Sequence, residues 1–416
     1  MTFRTRALVA CLAFVAGFVP AAIADDRTFV DVVGTRFEQW DTDKNGELSP
    51  AELDSLTTDP KITGEEAAAV ASIKLTIRSG KYELPKALTR EYLTTQKDNA
   101  RPAQSTPVDT DREDDGDLLR TSPINGAPEA PLKAPQFRSK YLSAVKKIKS
   151  TPRELFGDET PDLDQAHQGP LGDCFFVSIV GACVERDSQS VKKMITPKEG
   201  GGYSVAFGNG KVQEVSPLTD VELAISSRVG NEGLWICVLE KAFGQMRMES
   251  KPEAQRTEQS IDAISKGGSV STSIKTLTGH DVDSVTMRAK AEKAADAQAL
   301  EPLLAQVRKT LKGALDAKRL AAAGTGSTDK LPPGMSPKHA YAVLAYDEAT
   351  DVVKIWNPHG NNFKPKGDAG IQNGYPTKAG RFEMPLVEFV KIFRATTVET
   401  DRPIPVGGKS RGPRRQ

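Results

Sequence analysis

A segment without aromatic residues divides the 416-residue chain into two parts that can fold. Residues 94–136 contain no Phe, Trp or Tyr, and an acidic cluster runs from Asp109 to Asp117. The segment also holds six prolines: Pro102, Pro107, Pro123, Pro128, Pro131 and Pro135. Such a composition buries too little apolar surface to offset the entropic cost of ordering. We therefore predict a disordered linker between an N-terminal module, residues 25–93, and a globular domain, residues 137–397.

The charge balance and the hydropathy pattern exclude several classes of protein. The chain has 56 Lys and Arg against 55 Asp and Glu, a formal net charge of +1. Neutralising nucleic-acid phosphates requires a clear excess of basic residues, so we expect no nucleic-acid partner. After the N-terminus, no apolar run reaches the roughly 20 residues of a membrane span, so we expect no stable membrane span. Neither the oligomeric state nor a pairing of Cys183 with Cys237 follows from the sequence.

The two ends of the chain have simple compositions. Arg4 and Arg6 precede an apolar stretch, residues 7–19, and small residues then lead to Ala24. This pattern predicts a signal peptide, residues 1–24, and export to the periplasm or the medium. A signal anchor is the alternative. Residues 398–416 form a basic tail rich in Gly and Pro, for which we predict exposure to solvent.

Twelve residues from Asp41 to Glu52 have the ligand spacing of a calcium loop. Oxygen ligands fall at loop positions 1, 3, 5, 9 and 12, which are Asp41, Asp43, Asn45, Ser49 and Glu52. Gly46 stands at position 6, where the chain turns sharply, and Glu47 offers its backbone carbonyl at position 7. The loop resembles the EF-hand family and predicts bound Ca²⁺. A polar turn between two helices is the alternative, and it accounts less well for the glycine and the final acid.

EF-hands usually occur in pairs, so a second half-unit is expected next to the calcium loop. Residues 64–75 have a helical pattern. Residues 82–84 resemble a short strand, followed by a helix over 85–93. Ser79, Gly80 and Lys81 supply no acidic ligands, so this partner is predicted to bind no metal.

The segment from Gln168 to Val177 is the most informative for chemistry. Gly169 and Gly172 predict a tight turn, after which an apolar run predicts a buried helix to about Val184. Cys174 then begins that helix, where the helix dipole and unpaired N–H groups favour a thiolate. Gln168 could donate its amide to a developing oxyanion beside the Cys174 N–H. A buried structural thiol is the alternative reading of Cys174.

A nucleophilic cysteine requires a base, and His339 is the best of four histidines. It precedes an alternating apolar stretch that predicts a strand, and residues 352–358 predict a second strand after a turn. The resulting hairpin would bring Asn357 beside His339, where its amide oxygen could select the imidazole tautomer. We expect His167 to face solvent and His280 to lie in a loop.

In this order, Gln168-Gly-x-Leu-Gly-Asp-Cys174, His339-Ala-Tyr and Asn357-Pro-x-Gly360 resemble the calpain family of papain-like cysteine endopeptidases. The resemblance covers about residues 137–396. It implies an α+β fold: a papain-like core of two subdomains, preceded here by the small helical module. It also implies a Cys174, His339 and Asn357 triad, an oxyanion hole completed by Gln168, and polypeptide substrates. Substrate binding is assigned to Gly267 and Gly268, whose backbone would pair with extended peptide, and to Lys338.

Two departures from the family pattern affect the expected regulation. His359 stands where the family has a Trp, and residues 361–366 replace the acidic, Trp-containing stretch that follows it. We therefore expect calcium to order the N-terminal module without gating the core. The alternative is that the module covers the cleft as a calcium-released lid. An inert, peptidase-like scaffold that binds polypeptides is the alternative to an enzyme, although all four catalytic residue types are present.

Overall fold

The computed structural model describes residues 27–100, 132–157, 160–256, 259–327 and 331–405. The predicted signal peptide, most of the predicted linker and residues 406–416 of the tail lie outside these ranges. None of the helices in the described ranges combines the length and apolarity that crossing a membrane requires.

The N-terminal module consists of short helices around a calcium-type loop. In chain order they are α1 (Phe29–Trp40), α2 (Pro50–Thr58), α3 (Gly64–Ser79) and α4 (Arg90–Thr94), followed by a 3₁₀ turn (Lys97–Ala100). Reciprocal capping hydrogen bonds between Thr28 and Asp31 begin α1, and those between Ser49 and Glu52 begin α2. The helix predicted over 64–75 is confirmed as α3.

The second half-unit pairs with the calcium loop through the stretch that directly precedes α4. The Leu48 N–H donates to the Leu88 carbonyl at 3.0 Å. Tyr82, in the predicted strand, instead pairs with Lys133. The helix expected from residue 85 begins at Arg90. The stretch at Tyr82 is already paired, since the Glu83 N–H donates to the Lys133 carbonyl at 3.0 Å, whereas the Leu88 side chain is buried in the module.

The larger domain places its helices first and most of its strands last. The helix-rich part contains α5 (Phe137–Ser150), β1 (Ala166–His167), α6 (Cys174–Arg186), α7 (Ser188–Met194), β2 (Ile195–Pro197), β3 (Tyr203–Ala206), β4 (Val212–Val215), α8 (Asp220–Ile225), β5 (Arg228–Val229), α9 (Trp235–Glu249), α10 (Ser260–Ile264) and α11 (Val270–Thr278). The strand-rich part contains β6 (His280–Thr286), α12 (Arg288–Ala291), α13 (Ala297–Asp316), β7 (Ala321–Gly324), β8 (Ala340–Asp347), β9 (Val352–Trp356), β10 (Arg381–Pro385), α14 (Leu386–Ile392) and β11 (Ala395–Pro403). The expected α+β class is confirmed.

A six-stranded antiparallel sheet organises the strand-rich part. Its order is β10-β9-β8-β7-β11-β6, and α13 and α14 cover it with their apolar faces. The predicted hairpin is present as β8 and β9, which pair in antiparallel register. Strand β11 runs on to Pro403, past the expected domain end at residue 397.

The N-terminal module shares one continuous apolar core with the helix-rich part of the larger domain. The rings of Phe29 and Phe137 stack with centroids 5.5 Å apart. The Ser72 hydroxyl donates to the Phe137 carbonyl at 2.6 Å. The two parts are separated along the sequence by the predicted linker, yet they pack as neighbours. Burial of apolar surface on both sides stabilises this contact.

A cluster of buried charges crosses the same interface. Lys74 of α3 forms ion pairs with Asp54 of α2 and, at 2.7 Å, with Asp262 of α10. Arg78 of α3 also pairs with Asp262. Burial lowers the pKa of Lys74, and the Asp54 carboxylate opposes that shift. These charges therefore connect the helix that leaves the calcium loop to the domain that carries Cys174.

Candidate active site

Cys174 is the first residue of α6, the central helix of the helix-rich part. Every residue from Cys174 to Val184 is buried, as expected for a helix that is apolar on all sides. Only 6% of the Cys174 surface is exposed, and this burial raises the pKa of its thiol to about 12. We expected the helix terminus to favour the thiolate, but desolvation has the larger effect in this structure and favours the neutral thiol. Cys183 and Cys237 are also buried free thiols.

The β8–β9 hairpin brings His339 and Asn357 together. His339 immediately precedes β8, and Asn357 immediately follows β9, at the same end of the antiparallel pair. The imidazole Nε2 of His339 lies 2.8 Å from the amide oxygen of Asn357. Both residues are buried, with 2% of each exposed.

The hydrogen bonds of Asn357 determine which imidazole nitrogen carries the proton. Its amide oxygen also accepts from the backbone N–H of His359 at 3.1 Å, and its amide nitrogen donates to the Asn361 side chain at 2.9 Å. A backbone N–H can only donate, so the atom facing His339 is the oxygen. Nε2 of His339 therefore carries the hydrogen, and Nδ1 keeps its lone pair. Nδ1 is buried and has no hydrogen-bond partner among the described residues.

The thiol lies beside the histidine strand. Helix α6, which begins at Cys174, packs against β8, and the backbone N–H of Ala340, the residue after His339, acts to lower the pKa of the Cys174 thiol against the larger effect of burial. Burial lowers the pKa of His339 well below its usual range, the nearby His359 lowers it further, and the Asn357 hydrogen bond opposes both. The resting centre thus combines a neutral thiol with a neutral imidazole.

Gln168 lies beside Cys174, on the turn that leads into α6. With its amide oriented to satisfy both atoms, the Gln168 side-chain oxygen accepts from the N–H groups of Asp173 at 3.2 Å and Cys174 at 3.1 Å. The Gln168 backbone N–H donates to the Pro358 carbonyl at 2.7 Å, which ties this turn to the Asn357 segment. The Cys174 N–H, which we expected in the oxyanion hole, is therefore occupied by the Gln168 oxygen.

Comparison with known protein families identifies the family of the larger domain. A family model described as calpain family cysteine protease matches residues 138–370, more than half of the chain. The chain belongs to the calpain family of cysteine proteases. The match includes the positions of Cys174, His339 and Asn357, and the resemblance to the family that the motifs indicated is confirmed. A search of curated proteins found no match.

In this calpain-family domain, the residues expected to bind substrate lie next to residues that neighbour Cys174 and His339 in the sequence. A side chain at Gly268 would begin 2.4 Å from the ring of Phe175, so only glycine permits this close approach to the residue after Cys174. The Gly267 carbonyl accepts from the Arg247 guanidinium at 2.9 Å. On the other side, Lys338 directly precedes His339, and its N–H donates to the Gly326 carbonyl at 2.9 Å.

Two histidines lie elsewhere than expected. The His167 ring is half-buried, and its Nδ1 lies 3.3 Å from the backbone carbonyl of His359, so it packs against the Asn357 turn and does not point to solvent. His280 begins strand β6, and its Nδ1 lies 2.6 Å from the Glu399 carboxylate. Isolated histidines show no periodicity, so their tertiary neighbours could not be read from the pattern.

Sequence reasoning did not identify a role for two buried acids, Asp173 and Glu240. The Glu240 carboxylate accepts from the Ser227 N–H at 2.9 Å and from its hydroxyl at 2.5 Å, and that hydroxyl accepts from the Gly169 N–H at 3.0 Å. Burial and the neighbouring Glu240 raise the pKa of Asp173 well above its usual range. This network supports the turn between Gln168 and Cys174. The signal available in the sequence was an acid inside the apolar helix α9.

The calcium-type loop lies in the N-terminal module, outside the catalytic centre. The carboxylates of Asp41, Asp43 and Glu52 each offer an oxygen within 4.8 Å of the others. Gly46 has φ of +83°, and its N–H donates to Asp41 at 2.8 Å. Asn45 is exposed, and its side-chain oxygen accepts from the Glu47 N–H at 2.8 Å.

Glu52, at the last position of the loop, is held in its ionised form. Burial acts to raise its pKa, but hydrogen bonds from Ser49 and Thr42 outweigh burial and lower the pKa to about 2. These hard oxygen donors at loop spacing are the type that Ca²⁺ prefers. The residues present therefore fit a calcium ion.

Proposed function

We propose that this calpain-family protein is a cysteine endopeptidase with a Cys174, His339 and Asn357 triad. The observation that carries the proposal is the hydrogen bond of His339 Nε2 to the Asn357 oxygen. That bond leaves the lone pair of Nδ1 available in a ring that immediately precedes β8, the strand that packs against the helix beginning at Cys174. A base oriented in this way is what a cysteine nucleophile requires.

In the proposed reaction, His339 Nδ1 takes the thiol proton as the Cys174 sulfur bonds to the substrate carbonyl carbon. The imidazolium then gives that proton to the leaving amine as the peptide C–N bond breaks. Water, deprotonated by the same Nδ1, attacks the thioester carbonyl; the C–S bond breaks, and the thiol and a carboxylic acid product are released. Asn357 holds the ring in one tautomer throughout.

The oxyanion hole would require one side-chain rotation. The Gln168 oxygen now accepts the Cys174 N–H, so the amide must turn to present its nitrogen to the substrate oxyanion, which frees the N–H as the second donor. Extended peptide would lie along Gly267 and Gly268 on one side and Lys338 on the other. Two observations favour a second candidate function, a scaffold that binds polypeptides without cleaving them. The Cys174 N–H donates to Gln168 and is not available to an oxyanion, and the Cys174 thiol is buried.

Labelling of Cys174 and proteolysis together separate these two functions. An epoxide inhibitor of cysteine peptidases should label one thiol per chain, and unfolded casein should be degraded. Cys174→Ala should abolish both and leave the thermal unfolding temperature nearly unchanged. Cys183→Ala, at another buried thiol of the same helix, should retain both. Stable casein binding without cleavage by the parent chain would establish the scaffold.

We further propose that Asp41, Asp43, Asn45, Glu52 and the Glu47 carbonyl hold Ca²⁺. The ion would neutralise the clustered carboxylates and stabilise the folded module by binding it in preference to the unfolded chain. Its effect on catalysis is tested with the full-length parent and Glu52→Gln, each assayed with calcium and with chelator. Equal casein rates with calcium and chelator would support ordering alone. A calcium response in the parent that is absent in Glu52→Gln would make the loop a switch.

Export remains a proposal that rests on the pattern of residues 1–24. Protein recovered outside the cytoplasm should begin at Asp25 when its N-terminus is sequenced. Membrane-bound protein that retains Met1 would support the signal anchor instead.

A further inference from the structure

His339 is enclosed by two aromatic side chains. The ring of His359 stacks on the His339 ring with centroids 4.2 Å apart and an interplanar angle of 27°. Tyr341 meets the same imidazole edge-on, with centroids 4.8 Å apart and an angle of 90°. His359 therefore covers one face of the His339 ring, and Tyr341 confines the ring through an edge-on contact.

His359 is itself held rigidly in place. Its backbone N–H donates to the amide oxygen of Asn357, the same atom that binds His339. Its carbonyl faces His167 Nδ1 at 3.3 Å, and the preceding Pro358 carbonyl accepts from the Gln168 N–H. The stack is thus anchored to both parts of the active centre.

We propose that His359 is a positioning residue for His339: its imidazole holds the catalytic ring in place and competes with it for a single proton. Two stacked imidazoles whose centroids are 4.2 Å apart in a buried site cannot both be cationic without strong repulsion. The proton that His339 must carry during catalysis therefore requires a neutral His359. This inference rests on the proposed role of His339 as the catalytic base.

The surroundings of His359 contain few other charges. The titratable groups shown in contact with it, within the described part of the chain, are the His339 ring and His167, which faces its backbone carbonyl. Among the described residues, no carboxylate lies within hydrogen-bonding distance of the His359 ring. Burial lowers the pKa of His359 to about 4, so this residue is neutral at pH 7 and available for stacking.

Two substitutions separate stacking from titration. His359→Phe keeps an aromatic ring over His339 but cannot take a proton, so the pKa of His339 should rise by about one unit. The activity limit at acid pH, below which His339 is already protonated and cannot accept the thiol proton, should move upward by the same amount. His359→Ala removes the stack as well, and kcat should fall about tenfold with KM within twofold, because the ring is then mobile.

The readout that does not depend on peptidase activity is an NMR titration of the imidazole nitrogens in ¹⁵N-histidine-labelled, untagged full-length protein. The chain has four histidines, so each signal can be assigned from a single substitution. His280→Gln, remote from the stack, is the control and should leave the His339 titration unchanged. An unchanged His339 pKa in His359→Phe would overturn the proton competition, and full kcat in His359→Ala would overturn the positioning role. If no chain cleaves peptide but the His339 pKa shifts, the proposed function fails while the coupling stands.

Discussion

The calcium-type loop and the proposed catalytic centre are built in opposite ways. The loop takes its proposed ligands from one twelve-residue segment, and most of them are exposed, with Asp41 and Glu52 the buried exceptions. The catalytic centre takes its groups from a turn, a helix start and the open end of a hairpin, and nearly all are buried. The loop therefore depends on local spacing, whereas the catalytic centre depends on how two subdomains pack. Changes at the catalytic centre should affect chemistry, and changes at the loop should affect ion binding.

The largest effect is expected at the hairpin end of the catalytic centre. His339→Ala removes the base and should lower kcat/KM for a peptide substrate at least about 10³-fold, nearly as much as Cys174→Ala. Asn357→Ala removes the side chain that selects the His339 tautomer and should lower kcat/KM about 10–10³-fold. The matched control, His280→Gln, should retain parental kcat/KM. Additive losses when His339→Ala and Cys174→Ala are combined would show that the two residues do not act as one unit.

The calcium loop should respond to changes in its ligands without a comparable loss of chemistry. Glu52→Gln removes a carboxylate at the last loop position, so calcium affinity measured by calorimetry should fall at least about tenfold. The rise in thermal unfolding temperature on adding calcium should shrink accordingly. Glu47→Gln is the matched control, since position 7 binds through its backbone, and its affinity should stay within about threefold. Equal losses in both variants would contradict the assigned ligand set.

The interface between the two regions should control stability. Lys74→Met removes the cation that Asp54 and Asp262 share. The Lys74 side chain is only 8% exposed, so both ion pairs are lost at a largely buried position. We expect the free energy of unfolding in urea to fall by about 2–4 kcal/mol. Lys61→Met, an exposed lysine of the same module, should change it by less than about 0.5 kcal/mol. A small effect in both variants would mean that the Lys74 ion pairs contribute little to holding the module against the larger domain.

The smallest effect is expected at the far end of the hairpin that carries His339. Arg308 donates two hydrogen bonds to the Asp351 carboxylate, at 3.0 Å and 2.8 Å, and these lower the pKa of Asp351. Because the folded pKa is depressed, this contribution is present above about pH 4 and is lost as the pH falls through the folded value. Asp351→Asn should therefore cost about 0.5–1 kcal/mol at pH 7, less at pH 3, and leave kcat unchanged. A kcat of Asp351→Asn that differs from that of the parent chain would show that the two ends of the hairpin are coupled.

Local patterns were sufficient wherever a structure depends on neighbouring residues. The glycines before Cys174 and the apolar run after it predicted α6, and alternation on either side of a turn predicted the β8–β9 hairpin. The ligand spacing from Asp41 to Glu52 predicted a compact group of carboxylates. Each of these follows from backbone geometry over a few residues, which a single sequence contains in full.

The tertiary structure decided what those elements contact. The sequence predicted an α+β protein of the calpain family, and the family match and the described fold confirm it. The sequence could not show that the module shares a core with the helix-rich part, that Leu88 and not Tyr82 pairs with the calcium loop, or that His359 stacks on His339. It also suggested a thiolate at the helix terminus, whereas burial raises the Cys174 pKa. The physical reason is the same in each case: packing, desolvation and stacking depend on residues brought together from distant positions.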